Sequence, residues 1–216
     1  MKIAIAGATG LTGNICLQQL LIHPQIEQVI SIGRKYTGLQ HNKLVEVLLV
    51  ENQLTVPIYT DAFICCLGTT IKKAGSPEAF KAVDLELPLY LAKQLQQNDC
   101  TVVSIISSMG ANSSSSILYT RTKGQLEEGL KKMGFQSLSI LRPSIIDGER
   151  NEKRFGEKTA LWVMKLFSPL LFGSWTNYKP IKASEIAQAL INLTIKRKNG
   201  TSIYLSENIK PFAFTS

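Results

Sequence analysis

Short apolar runs recur along the chain with helix-length segments between them, and this alternation constrains the fold more than any other feature. The runs are Ile3 to Ala6, Val29 to Ile32, Val45 to Val50, Ala62 to Leu67, Val102 to Ile106, Leu138 to Leu141 and Ile203 to Leu205. Their near-continuous apolar character means burial on both faces, as for strands of a parallel sheet covered by helices. Helices are predicted over Thr12 to Ile22, Pro77 to Gln97, Tyr119 to Met133, Thr159 to Phe167 and Ala183 to Ile195. Pro77 suits a first helical turn and Gly134 a helix end. The alternation predicts a doubly wound, mostly parallel α/β sheet in three αβα layers, with ligands over the carboxyl ends of the strands. At 216 residues the expectation is a single domain, 1–216.

The motifs fall just after those strands. Gly7-Ala8-Thr9-Gly10-Leu11-Thr12-Gly13 follows the first and opens a helix. Bringing a pyrophosphate against backbone N–H groups at a helix N-terminus needs residues without bulk, so this spacing predicts a dinucleotide site. After the second strand a fold selecting NAD carries an acidic residue for the ribose hydroxyls. This chain has Gly33-Arg34-Lys35 there. A carboxylate would repel a 2′-phosphate, whereas the Arg34 guanidinium can hold it, with Lys35 beside it, so NADP(H) is the expected cofactor. Gly68-Thr69-Thr70, Ser107-Ser108 and Arg142-Pro143 follow the fourth, fifth and sixth strands, with Arg142 and Pro143 expected on the cofactor side.

The net charge of +8 and pI near 9.3 come from basic residues spread along the chain, without aromatic interleaving or a DNA-binding motif. The expectation is a solvated basic surface that attracts a phosphorylated cofactor, not a nucleic-acid partner. Cys16, Cys65, Cys66 and Cys100 show no Cys-x-x-Cys spacing. They read as reduced core thiols of a cytosolic protein, and no metal site is expected. Met1-Lys2 leads directly into the first strand, with no secretion signal. Leu161 to Phe172, the most apolar later stretch, is broken by Lys165 and Pro169 and is too short to span a bilayer.

Tyr119 and Lys123 stand four residues apart, on one face of a predicted helix. Tyr178 and Lys182 share that spacing, but Pro180 between them argues against a regular turn. Hydride transfer to a carbonyl leaves an oxyanion that must take a proton, and a phenol can supply it. An ammonium about 4 Å away stabilises the phenolate by roughly 4 kcal/mol at an effective dielectric near 20. Lys123 could also hold ribose hydroxyls. A serine hydroxyl would polarise the carbonyl, with Ser108 preferred and Ser107 the alternative.

The chain resembles the short-chain dehydrogenase/reductase superfamily, in particular the atypical branch related to the HIV Tat-interacting protein. The matching residues are Gly-Ala-Thr-Gly-Leu-Thr-Gly (7–13), Gly-Arg-Lys (33–35), Cys-Cys-Leu-Gly-Thr-Thr (65–70), Ser-Ser-Met-Gly-Ala (107–111), Leu-Tyr-Thr-Arg-Thr-Lys-Gly (118–124) and Leu-Arg-Pro (141–143). The resemblance implies a Rossmann fold binding NADPH, with Thr9 to Thr12 at the pyrophosphate and Leu67 and Gly68 along the adenosine side. It makes Tyr119 and Lys123 the active pair and puts Ile146 and Arg154 near the nicotinamide half or the phosphates. Asp84 stands where many active relatives carry an asparagine of a proton relay. No acidic residue closes the third strand at Leu49-Val50, where an adenine contact is common in the family. The chain ends soon after a short C-terminal strand, without the substrate lobe of sugar-nucleotide epimerases, so epimerase activity is not expected.

The expected function is an NADPH-dependent oxidoreductase of a small carbonyl or alcohol, with residues 144–180 folding over the cleft. The alternative is an NADPH-binding interaction protein with little turnover, its partner reading a surface that includes a mobile Ser113 to Ser116 loop.

Overall fold

The structure, a computed structural model, describes residues 1–147 and 180–213. The predicted helix over Thr159 to Phe167, the apolar stretch to Phe172, Arg154 and Tyr178 lie outside the described residues.

Seven strands form one parallel sheet: β1 (Lys2–Ala6), β2 (Gln28–Gly33), β3 (Leu44–Leu48), β4 (Ala62–Cys65), β5 (Val102–Ile106), β6 (Ser137–Arg142) and β9 (Gly200–Leu205). Their order is β3-β2-β1-β4-β5-β6-β9, the doubly wound arrangement expected from the sequence. The chain reverses direction across the sheet between β1 and β4, which places the ligand crevice over the carboxyl ends of those two strands. β7 (Ile146–Asp147) pairs with β8 (Ile181–Lys182) in a separate two-stranded ladder.

Helices cover both faces, which is why the central strands are mostly apolar. Ile3 and Ile5 of β1 pack with Cys16, Leu17 and Leu20 of α1 (Leu11–Ile22) and Ile186 and Leu190 of α6 (Ala183–Lys196). Ala4 and Ala6 face the other layer, with Leu91 and Leu95 of α4 (Leu87–Gln96) and Leu126 and Leu130 of α5 (Leu118–Met133). Gly134 ends α5 at φ 71° and Pro77 opens α3 (Pro77–Lys81), as expected, after the short α2 (Ile71–Ala74).

Three elements differ from the sequence reading. The third strand stops at Leu48 and is only half-buried, because it is the sheet's edge; Val50 instead bridges Gln53 in a tight turn. The helix expected over Pro77 to Gln97 is interrupted by a π-turn at Ala82–Glu86. Pro88 explains it: without an N–H it cannot bond the Asp84 carbonyl four residues back, and its ring crowds that carbonyl. Leu87 N–H donates to Ala82 O instead, five residues back. Finally, β9 leads into a further helix, α7 (Ser206–Ala213), whose Ser206 hydroxyl accepts the Ser144 N–H at 2.8 Å.

Candidate active site

The glycine turn sits at the carboxyl end of β1. Gly7 has φ +85°, and a Cβ there would lie 2.6 Å from the Cys66 backbone. A Cβ on Gly13 would lie 2.1 Å from Gly7 O. Only glycine permits this folding of the turn onto α1 and the β4 end. Gly10 N–H donates to Gly7 O, and the first intrahelical bond is Asn14 N–H to Gly10 O. The N–H groups of Leu11, Thr12 and Gly13 therefore precede the helix's own ladder. No side chain caps this end and its first turn holds no acidic residue. These are the terms for an anion: free donors, the positive end of the helix dipole and no competing carboxylate.

Arg34 and Lys35 are exposed just past β2, and Thr9 and Gly10 are exposed at the turn. Leu67 and Gly68 follow β4, with Leu67 half-buried and Gly68 exposed. All stand on the same carboxyl edge of the sheet.

Tyr119 and Lys123 lie on the first two turns of α5. The half-buried Tyr119 ring stacks on Phe80 of α3, with centroids 5.8 Å apart and planes at 29°. Lys123 is 3% exposed, and its Nζ lies 2.7 Å from Asp84 Oδ1. Asp84, fully buried on the π-turn, accepts the Thr69 N–H at Oδ2 over 2.8 Å. Gly68 overlies the pair: a Cβ there would stand 3.7 Å from Asp84 Oδ1 and 3.8 Å from Lys123 Nζ. Burial works to lower the Lys123 pKa, but Asp84 and then Tyr119 outweigh it and hold the ammonium above the ordinary lysine value. From the sequence, Lys123 was set beside Tyr119 and the ribose hydroxyls, with no carboxylate partner. Here a carboxylate shares its charge.

Glu127, one turn further along α5, is buried at 1% exposure and was not anticipated from the sequence. It accepts from Ser107 Oγ at 2.5 Å, Arg142 Nε at 2.9 Å and Arg142 Nη2 at 2.6 Å. Two of the Arg142 donors are thus spent inside the protein instead of facing the cleft. Ser107 is committed as well. Ser108, also buried, donates only to Met109 O at 3.2 Å among the described residues. Pro143 is buried and its carbonyl accepts the Met109 N–H at 3.0 Å, tying the serine turn to the β6 end. Ile146 lies in β7 and packs against the core on the α1 side.

The serine loop carries several hydrogen bonds. Ser113 Oγ donates to Glu128, Ser114 bonds Asn112 through N and Oγ, and Arg121 Nη1 donates to Ser115 O and Ser116 O. Among the described residues no cluster of His, Cys, Asp and Glu is placed to hold a metal ion, and no helix is long and apolar enough to cross a membrane.

The strand order and the glycine turn at the first strand define the class: a doubly wound α/β fold of the Rossmann type. The chain belongs to the HIM1 family, whose model matches residues 36–168. It is 32% identical over 216 aligned residues to "Protein FMP52, mitochondrial" of Candida albicans, covering 93% of this chain and 90% of that protein. Protein HTATIP2 of Rattus norvegicus is 31% identical over 210 residues, covering 92% of this chain and 83% of that one. Among solved structures, Bordetella bronchiseptica WbmH in complex with NAD+ superposes with a TM-score of 0.71 at 16% identity, covering 98% of this chain and 79% of that one. A short chain dehydrogenase family protein of Francisella tularensis gives 0.65 at 13% identity, covering 94% and 96%.

These relatives overturn the cytosolic expectation, since the fungal proteins of Candida albicans, Emericella nidulans and Eremothecium gossypii are named as mitochondrial. Reduced thiols argue against an oxidising compartment but do not distinguish one reducing compartment from another.

Proposed function

We propose that this chain is an NADPH-dependent oxidoreductase that interconverts a small carbonyl compound and its alcohol. The observation that carries the reading is the placement of Tyr119 and buried Lys123 on the opening turns of α5, beside the exposed Gly68 and on the same sheet edge as the uncapped start of α1. The glycine turn and the free N–H groups of Leu11, Thr12 and Gly13 would take the pyrophosphate, and Arg34 and Lys35 the 2′-phosphate. Leu67 and Gly68 would flank the adenosine side. The residues fit such a group: a cradle that any Cβ would fill, donors without a cap and no acid after β2. NAD in complexes of structural neighbours such as WbmH supports the same class of ligand.

A nicotinamide cofactor held by these residues would supply the hydride. Tyr119 then donates its phenolic proton to the developing alkoxide, held by its stack on Phe80. Ser108 Oγ, free of Glu127, donates a hydrogen bond to the carbonyl oxygen and polarises it. Lys123 donates to ribose hydroxyls and stabilises the phenolate that Tyr119 leaves behind, less strongly than an unpaired ammonium would. Residues 1–216 would act as one nucleotide-binding domain. The names of the fungal relatives support a mitochondrial site of action.

The alternative is a nucleotide-responsive interaction protein with little turnover. NADPH should raise the melting temperature well beyond the effect of NADH, since a ligand that binds only the native state stabilises it by linkage. Tyr119→Phe should keep that rise and abolish turnover in a carbonyl-substrate screen. Turnover equal to the parent's in Tyr119→Phe would remove the phenol from the mechanism.

A further inference from the structure

The ion pair between Asp84 and Lys123 is unusual for its cost. Both side chains are taken from water, 0% and 4% exposed, although an apolar pair of like volume would be about as stable. Both carboxylate oxygens of Asp84 are in use: Oδ1 meets Lys123 Nζ at 2.7 Å and Oδ2 the Thr69 N–H at 2.8 Å. Asp84 is carried on the π-turn that Pro88 follows. The Thr69 bond then fixes the loop after β4 to the same oxygen pair. Above lies Gly68, exposed and without a side chain, so a ligand on residues 67–68 would come to rest over the ammonium.

We propose that Asp84 is a positioning residue of this site, whose carboxylate fixes the Lys123 ammonium beneath Gly68, where it donates to the diol of the cofactor's nicotinamide ribose as the dinucleotide passes that residue. This role rests on the cofactor reading given above. The lysine stem is flexible, and without Asp84 the ammonium would have no carboxylate partner among the groups around it. Those groups are Tyr119 from its own helix, Cys65 from β4 and Asp84 from the π-turn; Glu127 faces Ser107 and Arg142 instead. Desolvation would then prevail, and an unpaired buried lysine gives up its proton at a lower pH.

The test is NADPH affinity as a function of pH, measured by cofactor fluorescence on the full chain, for the parent, Asp84→Asn and Lys123→Met. In Asp84→Asn the amide oxygen can still accept the Thr69 N–H, so the charge is removed while the loop keeps its bond. The parent should hold its pH 7 affinity up to pH 9.5. Asp84→Asn should weaken about tenfold for each pH unit above the point where Lys123 deprotonates, a fall that begins at least one unit below the parent's. Lys123→Met should be weak at every pH, and adding Asp84→Asn to it should change nothing further. A melting curve of each unliganded variant at each pH confirms that folded protein is compared. Superimposable pH profiles for the parent and Asp84→Asn would overturn this role and leave the cofactor reading intact. Absence of NADPH binding by the folded parent would overturn both.

Discussion

Removing the carboxylate of Glu127 should cost about 3 kcal/mol of folding stability. Its side chain is 2% exposed and that of Arg142 is 23% exposed, with N–O contacts of 2.9 and 2.6 Å and a third bond from Ser107. Breaking a buried pair by deleting one partner costs roughly 3–5 kcal/mol, because the survivor keeps its desolvation without compensation. The open edge of the guanidinium retains some water, so the low end applies to Glu127→Leu. Replacing both partners, as Glu127→Leu with Arg142→Met, removes the stranded charge and leaves mainly the Ser107 hydroxyl without its acceptor, a loss of about 1 kcal/mol. Urea unfolding resolves the two. With a slope of roughly 3 kcal/mol per molar, the single variant should unfold about 1 M earlier than the parent and the double variant about 0.3 M earlier. Equal midpoints for parent and single variant, or a double variant as unstable as the sum of the singles, would refute the assignment of Glu127 as the anchor of β5, β6 and α5.

Gly13→Ala should lower stability and abolish nucleotide binding together, since its Cβ would fall 2.1 Å from Gly7 O; thermal denaturation with and without NADPH reads both. Arg34→Ala should reduce NADPH affinity about tenfold or more with little effect on NADH, because an exposed guanidinium contributes only through the phosphate it meets. Burial pushes the thiols of Cys65 and Cys100 up to about 12, so neither should alkylate with iodoacetamide at pH 8 until the protein unfolds, as mass spectrometry of labelled peptides would show. The raised Lys123 value means that its ion pair contributes fully below the ordinary lysine range of about 10.4 and is lost as pH rises through the higher folded value. Stability of the parent should therefore be insensitive to this pair from pH 7 to 9 and decline only in stronger alkali.

The sheet was legible because its central strands are buried on both faces, leaving runs such as Val102 to Ile106 almost wholly apolar. The glycine turn was legible because steric demand at Gly7 and Gly13 admits one residue type. The edge strand was less so: half-buried β3 mixes Glu46 into its apolar pattern, and Leu49-Val50 extends that pattern past the last paired residue, Leu48. The π-turn carried a readable sign in Pro88, whose effect falls on a residue four positions earlier. Glu127 carried none. Glu127-Glu128 on a helix reads as a solvated face, and only the tertiary approach of Ser107 and Arg142 distinguishes the buried carboxylate from its exposed neighbour. For the same reason Arg142 was assigned to the cofactor: a guanidinium at a strand end suits a phosphate and a hidden carboxylate equally.

Helix α5 meets the rest of the protein through two charges of opposite sign set four residues apart, a spacing of about 6 Å along its axis. A helix seated only on leucines could creep by one turn and find an almost equivalent set of holes. Here a slip in one direction would carry Lys123 toward Arg142, and a slip in the other would carry Glu127 toward Asp84. Either error sets like charges against each other in a dry interior, so the height at which the phenol stands above the sheet is checked by electrostatics as well as by shape.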